Sequence, residues 1–367
     1  MHGTKILDEV DRLMTVCNSC RYCEGLCAVF PAMEMRRAFS DGDLNYLANL
    51  CHACGACYVD CQFAPPHEFN VSVPKTLAVA RAESYATYVW PRALSGLFAR
   101  NGLVISLVAA LSVAAFILGF VAFNDRSVLF GIHTGPGAFY KLMPHNAIAL
   151  LFGAVFLYAI VALLMGVRAF WLDIGKPVGG GRVDGGSILQ AIRDVIGLRY
   201  LDGGGVGCYN ENDRPTDRRR LYHHLTFYGF LLCFAATSVG TLYHFILGRE
   251  APYPWWDLPV VLGTLGGLGL VGGPIGLLIA RWRRDPAMLD EQRFGMDVGF
   301  IAMLLLAAST GLALLLLRAT VAMGPLLALH LGAVFALFIT LPYGRFVHGI
   351  YRFVALVRYA QERRGGG

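Results

Sequence analysis

Charge is what this chain has least of. Only 15% of its 367 residues are Asp, Glu, Lys or Arg, while 56% are hydrophobic, which excludes an ordinary soluble protein of this length. The apolar excess is concentrated after residue 100. The N-terminal stretch around Lys5, Asp8 and Glu9 has no apolar core, so no cleaved signal peptide is expected. No basic stretch alternates with aromatics outside the flanks of the apolar runs. With a net charge of only +6, that excludes a nucleic-acid surface. The glycines at 179–181, 185–186 and in Gly203-Gly-Gly205-Val-Gly207-Cys208 lack the Lys-Ser/Thr that makes a P-loop. Gly267-Leu-Gly269-Leu-Val-Gly272 has dinucleotide spacing but sits inside an apolar run. There the pairs Gly263/Gly267, Gly269/Gly273 and Gly272/Gly276 suit close helix packing in lipid. No flavin or nicotinamide motif is present, so electrons for any redox chemistry must come from a partner.

Cysteine, by contrast, is patterned. Cys17, Cys20, Cys23 and Cys27 read C-x-x-C-x-x-C-x-x-x-C, and Cys51, Cys54, Cys57 and Cys61 repeat that spacing. Two such runs are the ligand pattern of two [4Fe–4S] clusters, with the fourth cysteine of each run crossing to the other cluster. Cys27 is therefore expected to complete the set of Cys51, Cys54 and Cys57, and Cys61 that of Cys17, Cys20 and Cys23. Paired structural zinc sites are the bland alternative, but zinc spaces its ligands as two separated pairs. A disulfide framework has no support, because nothing suggests export. The thiolates belong in the cytosol, where clusters are assembled. Cys208 and Cys233 stand apart, as a loop thiol and a small apolar helix residue.

The expected fold is mainly α. Residues 1–95 form a cytosolic, α-helical dicluster ferredoxin-like module, with helical spacing over 34–50 (Met35, Phe39, Leu44, Leu47, Leu50) and again past Pro74 to Tyr88. Residues 96–350 form a six-span, cytochrome b-like transmembrane bundle with a flexible glycine-rich cytosolic loop at 167–224. Residues 351–367 form a basic cytosolic tail. The spans are 103–123, 146–166, 225–247, 260–280, 298–317 and 326–343, each about 20 residues.

The positive-inside rule orients them. Inside lie Arg168, Lys176, Arg182, Arg193, Arg199, Arg214, Arg218, Arg219 and Arg220. Arg281, Arg283, Arg284 and Arg293 join them, as do Arg345, Arg352, Arg358, Arg363 and Arg364. Outside are only Arg126, Lys141, Arg249 and Arg318. Both termini are thus expected on the cytosolic side of a bacterial inner membrane.

Histidines mark the ends of two spans. His330 and His348 are 18 residues apart, five whole turns at about 100° per residue, so they share a face. His223 and His244 also lie roughly on one face, whereas His224 points about 160° away from His244. Antiparallel third and sixth spans would set His244 level with His330 and His223 level with His348. That arrangement suits two b-type haems with paired axial histidines, with His224 as the alternate to His223. Capping or lipid-headgroup histidines are the competing reading. His145 is a spare that suits either a quinone pocket or a helix cap. His52, His67 and His133 read as ordinary, and Asp257 and Asp297 as solvated boundary carboxylates.

The cysteine runs, Gly203–Tyr209, His223-His-Leu-Thr-Phe-Tyr-Gly-Phe, Ala251-Pro-Tyr-Pro254 and Pro342-Tyr-Gly-Arg-Phe-Val-His348-Gly resemble the tricarballylate-utilisation protein B family of CitB-like membrane Fe–S electron-transfer proteins. The likeness covers nearly the whole chain. The histidine spacing is also similar in pattern to the di-haem subunit of membrane nitrate reductases. The resemblance implies a partner, an FAD-dependent tricarballylate dehydrogenase, whose reduced flavin is reoxidised through this protein. Together with the ligand pattern it predicts electron flow through two [4Fe–4S] clusters and two b haems to a membrane quinone. The chain is then an electron-transfer subunit of a flavoprotein:quinone oxidoreductase, with no catalytic residue of its own. Two readings compete: a quinone-linked relay for another dehydrogenase or a disulfide-type reductase, and a transporter with an Fe–S sensor domain. The spans are nearly free of charge and show no inverted repeat, against the transporter.

Overall fold

The structure, a computed structural model, describes residues 2–180, 182–291 and 294–365; Gly181 of the glycine run and Arg293 of the inside loop lie outside them. Among the described residues the chain is helical, without a strand.

Helix α1 (Lys5–Cys20) starts at Thr4, whose hydroxyl accepts from the Leu7 N–H, and stops at Arg21 in the left-handed conformation. Helices α2 (Val29–Glu34) and α3 (Asp41–Leu50) follow. The helix expected over 34–50 is therefore shorter. Ser40 and Asp43 form a capping box that begins α3 and leaves Met35 and Phe39 before it. Helix α4 (Ala56–Val59) sits between Cys54 and Cys61, and α5 (Val73–Tyr88) carries Pro74 in its first turn.

Next come α6 (Asn101–Phe123), the short α7 (Arg126–Leu129), α8 (His145–Asp173), α9 (Gly185–Ile196), α10 (Arg218–Leu247), α11 (Leu258–Trp282), α12 (Phe294–Leu317) and α13 (Met323–Thr340). Among the described residues six helices are long and apolar enough to cross a membrane: α6, α8, α10, α11, α12 and the run Met323–Tyr343 that begins with α13. Helix α10 packs along α11, and α13 along α6, α8 and α12. The α10–α11 seam is made of glycines. A Cβ on Gly229 would meet the Gly266 carbonyl at 2.9 Å, and one on Gly266 would meet the Cys233 nitrogen at 2.8 Å.

Two expectations change here. The sixth span ends at Tyr343 as expected, but the alignment of His330 with His348 needed its helix to continue. A 3-10 turn at Leu341–Tyr343 ends it, where Pro342 has no N–H to donate, and His348 belongs to a separate helix, α14 (Val347–Gly365). The stretch expected as a basic tail is helical through residue 365. Tyr351, Val354, Ala355 and Tyr359 are buried in one core with α1, α3 and α5, so α14 ties the bundle to the cysteine module. Within the 167–224 segment α8 extends to Asp173, and α9 packs on α14.

Candidate redox site

The cysteines fall into two groups. Cys17, Cys20, Cys23 and Cys61, together with Cys57, line a cavity of about 230 Å³. The αL residue Arg21, closing α1 onto the Cys17 carbonyl, turns the chain so that Cys20 and Cys23 face one space. Burial, then the neighbouring Cys61 and Cys20 among others, pushes Cys17 and Cys23 up to about 12. Loss of solvent, then the neighbouring Cys54 and Cys51, raises the part-buried Cys27, and the same loss, then Cys54, Cys27 and Cys51, raises Cys57. The structure thus sets Cys61 among the first run's thiols and Cys27 among the second's.

Among the described residues no three His, Cys, Asp or Glu converge on a single-ion site. The thiols stand around a space rather than on a point. Soft sulfur donors in two sets of four, the first around room for more than one atom, fit iron–sulfur clusters better than a lone zinc. The Gln62 amide donates to the Cys20 sulfur at 3.8 Å, and the Ala53 N–H to the Cys51 sulfur at 3.3 Å.

His223 and His348 come together across α10 and α14, ring centroids 6.0 Å apart. The Nδ1 of His348 lies 2.6 Å from the Arg345 carbonyl. A carbonyl only accepts, so Nδ1 carries the proton and Nε2 keeps its lone pair for a ligand. Burial, then the charges of Arg345 and Arg352, holds His348 well below the ordinary histidine range, in the neutral form that ligation needs. His224 lies against Tyr228 instead. These residues fit one b-type haem.

The outer pair is different. His244 stacks on His145 with centroids 3.4 Å apart, and Tyr140 meets both edge-on. His330 is held by the Thr310 hydroxyl at 3.1 Å and abuts Gly311. The expected His244–His330 pairing is not assembled, because α10 packs on α11 rather than on α13. Two imidazoles stacked at 3.4 Å leave no room for an iron between them, so these residues do not fit a second haem.

Arginines fill the space between cysteines and histidines; the sequence reading took Arg219, Arg284 and Arg352 only as topology signals and did not single out Arg81. Arg81 and Arg352 donate to the Cys51 carbonyl at 2.5 and 2.8 Å. Arg219 and Arg284 donate to the Ala53 carbonyl at 2.5 and 2.6 Å. Ala53 has φ +49°, a left-handed position that costs a non-glycine residue about 1–2 kcal/mol, and these donors hold its carbonyl in place. Arg219 is one turn before His223 on α10, and Arg352 one turn after His348 on α14. Each inner histidine is therefore a helical turn from an arginine that grips the Cys51–Cys54 loop.

Other isolated residues also gain roles. Cys208 is a buried neighbour of Cys54, and the Tyr209 N–H donates to the Cys54 carbonyl at 2.8 Å. His52 is buried, with Nδ1 2.8 Å from the Leu50 carbonyl. Asp297, expected to be solvated, pairs with Arg345 at 3.0 Å and Arg281 at 3.4 Å. Asp257 caps α11 and pairs with Arg249. His133 bonds the Val128 carbonyl, and His67 packs on Phe63 and Phe69.

Comparison with known proteins agrees with the resemblance read from the sequence. Residues 96–367 match the family model described as citrate utilization protein B, and residues 10–87 match that of its Fer4-like domain. Citrate utilization protein B of Escherichia coli is 50% identical over 360 residues, which cover 98% of this chain and 93% of that protein. No solved structure gives a significant match. The chain belongs to the citrate utilization protein B family.

Proposed function

We propose that this protein is a membrane electron carrier that reoxidises the reduced FAD of a partner dehydrogenase and delivers the electrons to a membrane quinone. The partner would act on citrate or tricarballylate, as the relative's name and the family resemblance indicate. The supporting observation is the arginine grip just described. It joins one cysteine loop to the two helices that carry His223 and His348.

Cys17, Cys20, Cys23 and Cys61 would hold one [4Fe–4S] cluster, Cys27, Cys51, Cys54 and Cys57 the other, and His223 with His348 a b-type haem. When bound, these groups supply one-electron chemistry between a two-electron flavin and a quinone. The chain's own residues set the order of the path. The Cys17 cavity has the exposed Tyr22 at its rim and suits docking of the flavoprotein. The Cys51–Ala53 loop faces inward, and Arg81, Arg219, Arg284 and Arg352 fix its position. Arg345 holds His348 in the tautomer a ligand must have. In this reading residues 1–95 are a cytosolic docking and cluster module, residues 96–350 cross the inner membrane, and both termini lie on the cytosolic side. The chain breaks no bond in the carboxylic acid itself.

The test is a reduced-minus-oxidised spectrum of the purified protein, with haem and non-haem iron quantified per chain. About eight irons and one b haem are expected. His348→Ala should remove the haem, while His330→Ala and His224→Ala keep it. Eight irons with no haem would reject the histidine assignment, and no iron would reject the redox reading altogether.

A further inference from the structure

A cavity of about 180 Å³ lies where α10, α11, α12 and α14 meet the cysteine module. Arg81, Arg219, Arg281, Arg284, Arg345 and Arg352 all line it, and so do His223 and His348. The carboxylates on its wall are Asp290 and Asp297, and Asp297 is already engaged by Arg281 and Arg345. Among the described residues, the hydrogen bonds of Arg81, Arg219, Arg284 and Arg352 run to backbone carbonyls. The Nε–H groups of Arg81, Arg284 and Arg352 are buried without an acceptor among the described residues.

Burying so many guanidinium groups against so few carboxylates is unfavourable unless an anion completes the set. Guanidinium binds carboxylate two-pronged, so an arginine-lined pocket suits that group. Burial, then the charge of a neighbouring arginine, lowers Arg284 and Arg352 to about 9.

We infer that this cavity is a carboxylate site, built for a ligand with at least two carboxyl groups beside His223 and His348. Two sources carry that chemistry: the side-chain carboxylates of a haem on the histidine pair, or a free polycarboxylate such as citrate. The site stands with or without haem, so its failure and that of the redox reading separate.

The experiment uses full-length protein in detergent, prepared with and without haem, and compares wild type with Arg284→Gln, Arg352→Gln and, as a distant control, Arg126→Gln. Citrate binding is followed by calorimetry and the haem midpoint potential by redox titration. If the ligand is free, haem-free protein binds citrate, and each cavity variant weakens it about tenfold or more, the factor of a lost charge-assisted hydrogen bond. If the ligand is haem, loaded protein excludes citrate, and each cavity variant lowers the midpoint potential, because removing positive charge disfavours the added electron. Arg126→Gln should change neither. Arg284→Lys, which keeps the charge, should recover part of the effect and so separates charge from folding. The inference is overturned if citrate does not bind haem-free protein and the haem potential is unmoved by the variants. Loss of iron alone would have the same meaning, since the arginines would then serve only the cysteine loop.

Discussion

Arg36 and Glu362 stand 326 residues apart and meet in a two-point ion pair, Nη2 to Oε1 at 2.6 Å and Nη1 to Oε2 at 3.2 Å. Both side chains are buried, and Tyr46 donates to the same carboxylate at 3.0 Å. This contact holds α14, and with it His348, against the cysteine module.

Glu362→Ala should therefore be costly. It leaves the Arg36 guanidinium partly uncompensated, and breaking one side of a buried pair costs about 3–5 kcal/mol. The Tm of the iron-loaded protein should fall, with haem content falling alongside it. An unchanged Tm would mean that α14 is held by apolar packing alone.

The two cysteine groups make opposite pairings testable. Cys61→Ser should abolish the same electron paramagnetic resonance signal as Cys20→Ser, and Cys27→Ser the same one as Cys54→Ser. Each variant should lose about half of the iron. If Cys61→Ser instead removed the signal that Cys54→Ser removes, the sets would not be crossed.

Gly229→Leu probes the α10–α11 seam. The new side chain meets the backbone of Gly266, Gly269 and Leu270 within 3.1 Å, and overpacking of this kind costs about 1–3 kcal/mol. Helix α10 must shift, carrying His223 away from His348. Most haem should be lost while iron stays, as measured by haem extraction and iron assay. Full haem retention would show that the seam tolerates the displacement.

The N-terminus offers a pH dependence. His2 Nδ1 lies 2.6 Å from Asp41, and that hydrogen bond is the main influence raising its pKa above 6.5. A raised pKa means that the tie is complete below 6.5 and is lost as pH rises through the folded value. Amide protection at the start of α1, taken relative to the base-catalysed intrinsic rate, should therefore fall as pH rises from about 6 to 8. His2→Gln should flatten that profile; an unchanged profile would assign the loss of protection to something else.

The membrane spans were legible because lipid imposes a length and a composition on every crossing helix. The predicted ends differ from the observed ones by a few residues at most positions, with α8 and α10 extending furthest. Helix α3 was misjudged at its start because a capping box at Ser40 outweighs the spacing of Met35 and Phe39. The His330–His348 alignment assumed one unbroken helix, and Pro342 breaks it.

The arginines show why part of the site was hidden. Arg81, Arg219, Arg284 and Arg352 are spread over 271 positions, and nothing in their spacing marks them as neighbours. A positive residue near a span end reads as topology until the fold shows what it faces.

What the sequence determined alone was set by local chemistry: repeated thiol spacing, apolar run length and the bias of positive charge. Those depend on residues near one another in the chain, so they survive without a fold. That His145 rather than His330 lies against His244, and that six arginines gather beside one histidine pair, depend on long-range packing. Helix α10 lies on α11 because glycine lets the two backbones approach, and α14 returns to the N-terminal module because Glu362 finds Arg36 there. Those contacts exist only once the chain has closed on itself, and they decided the site.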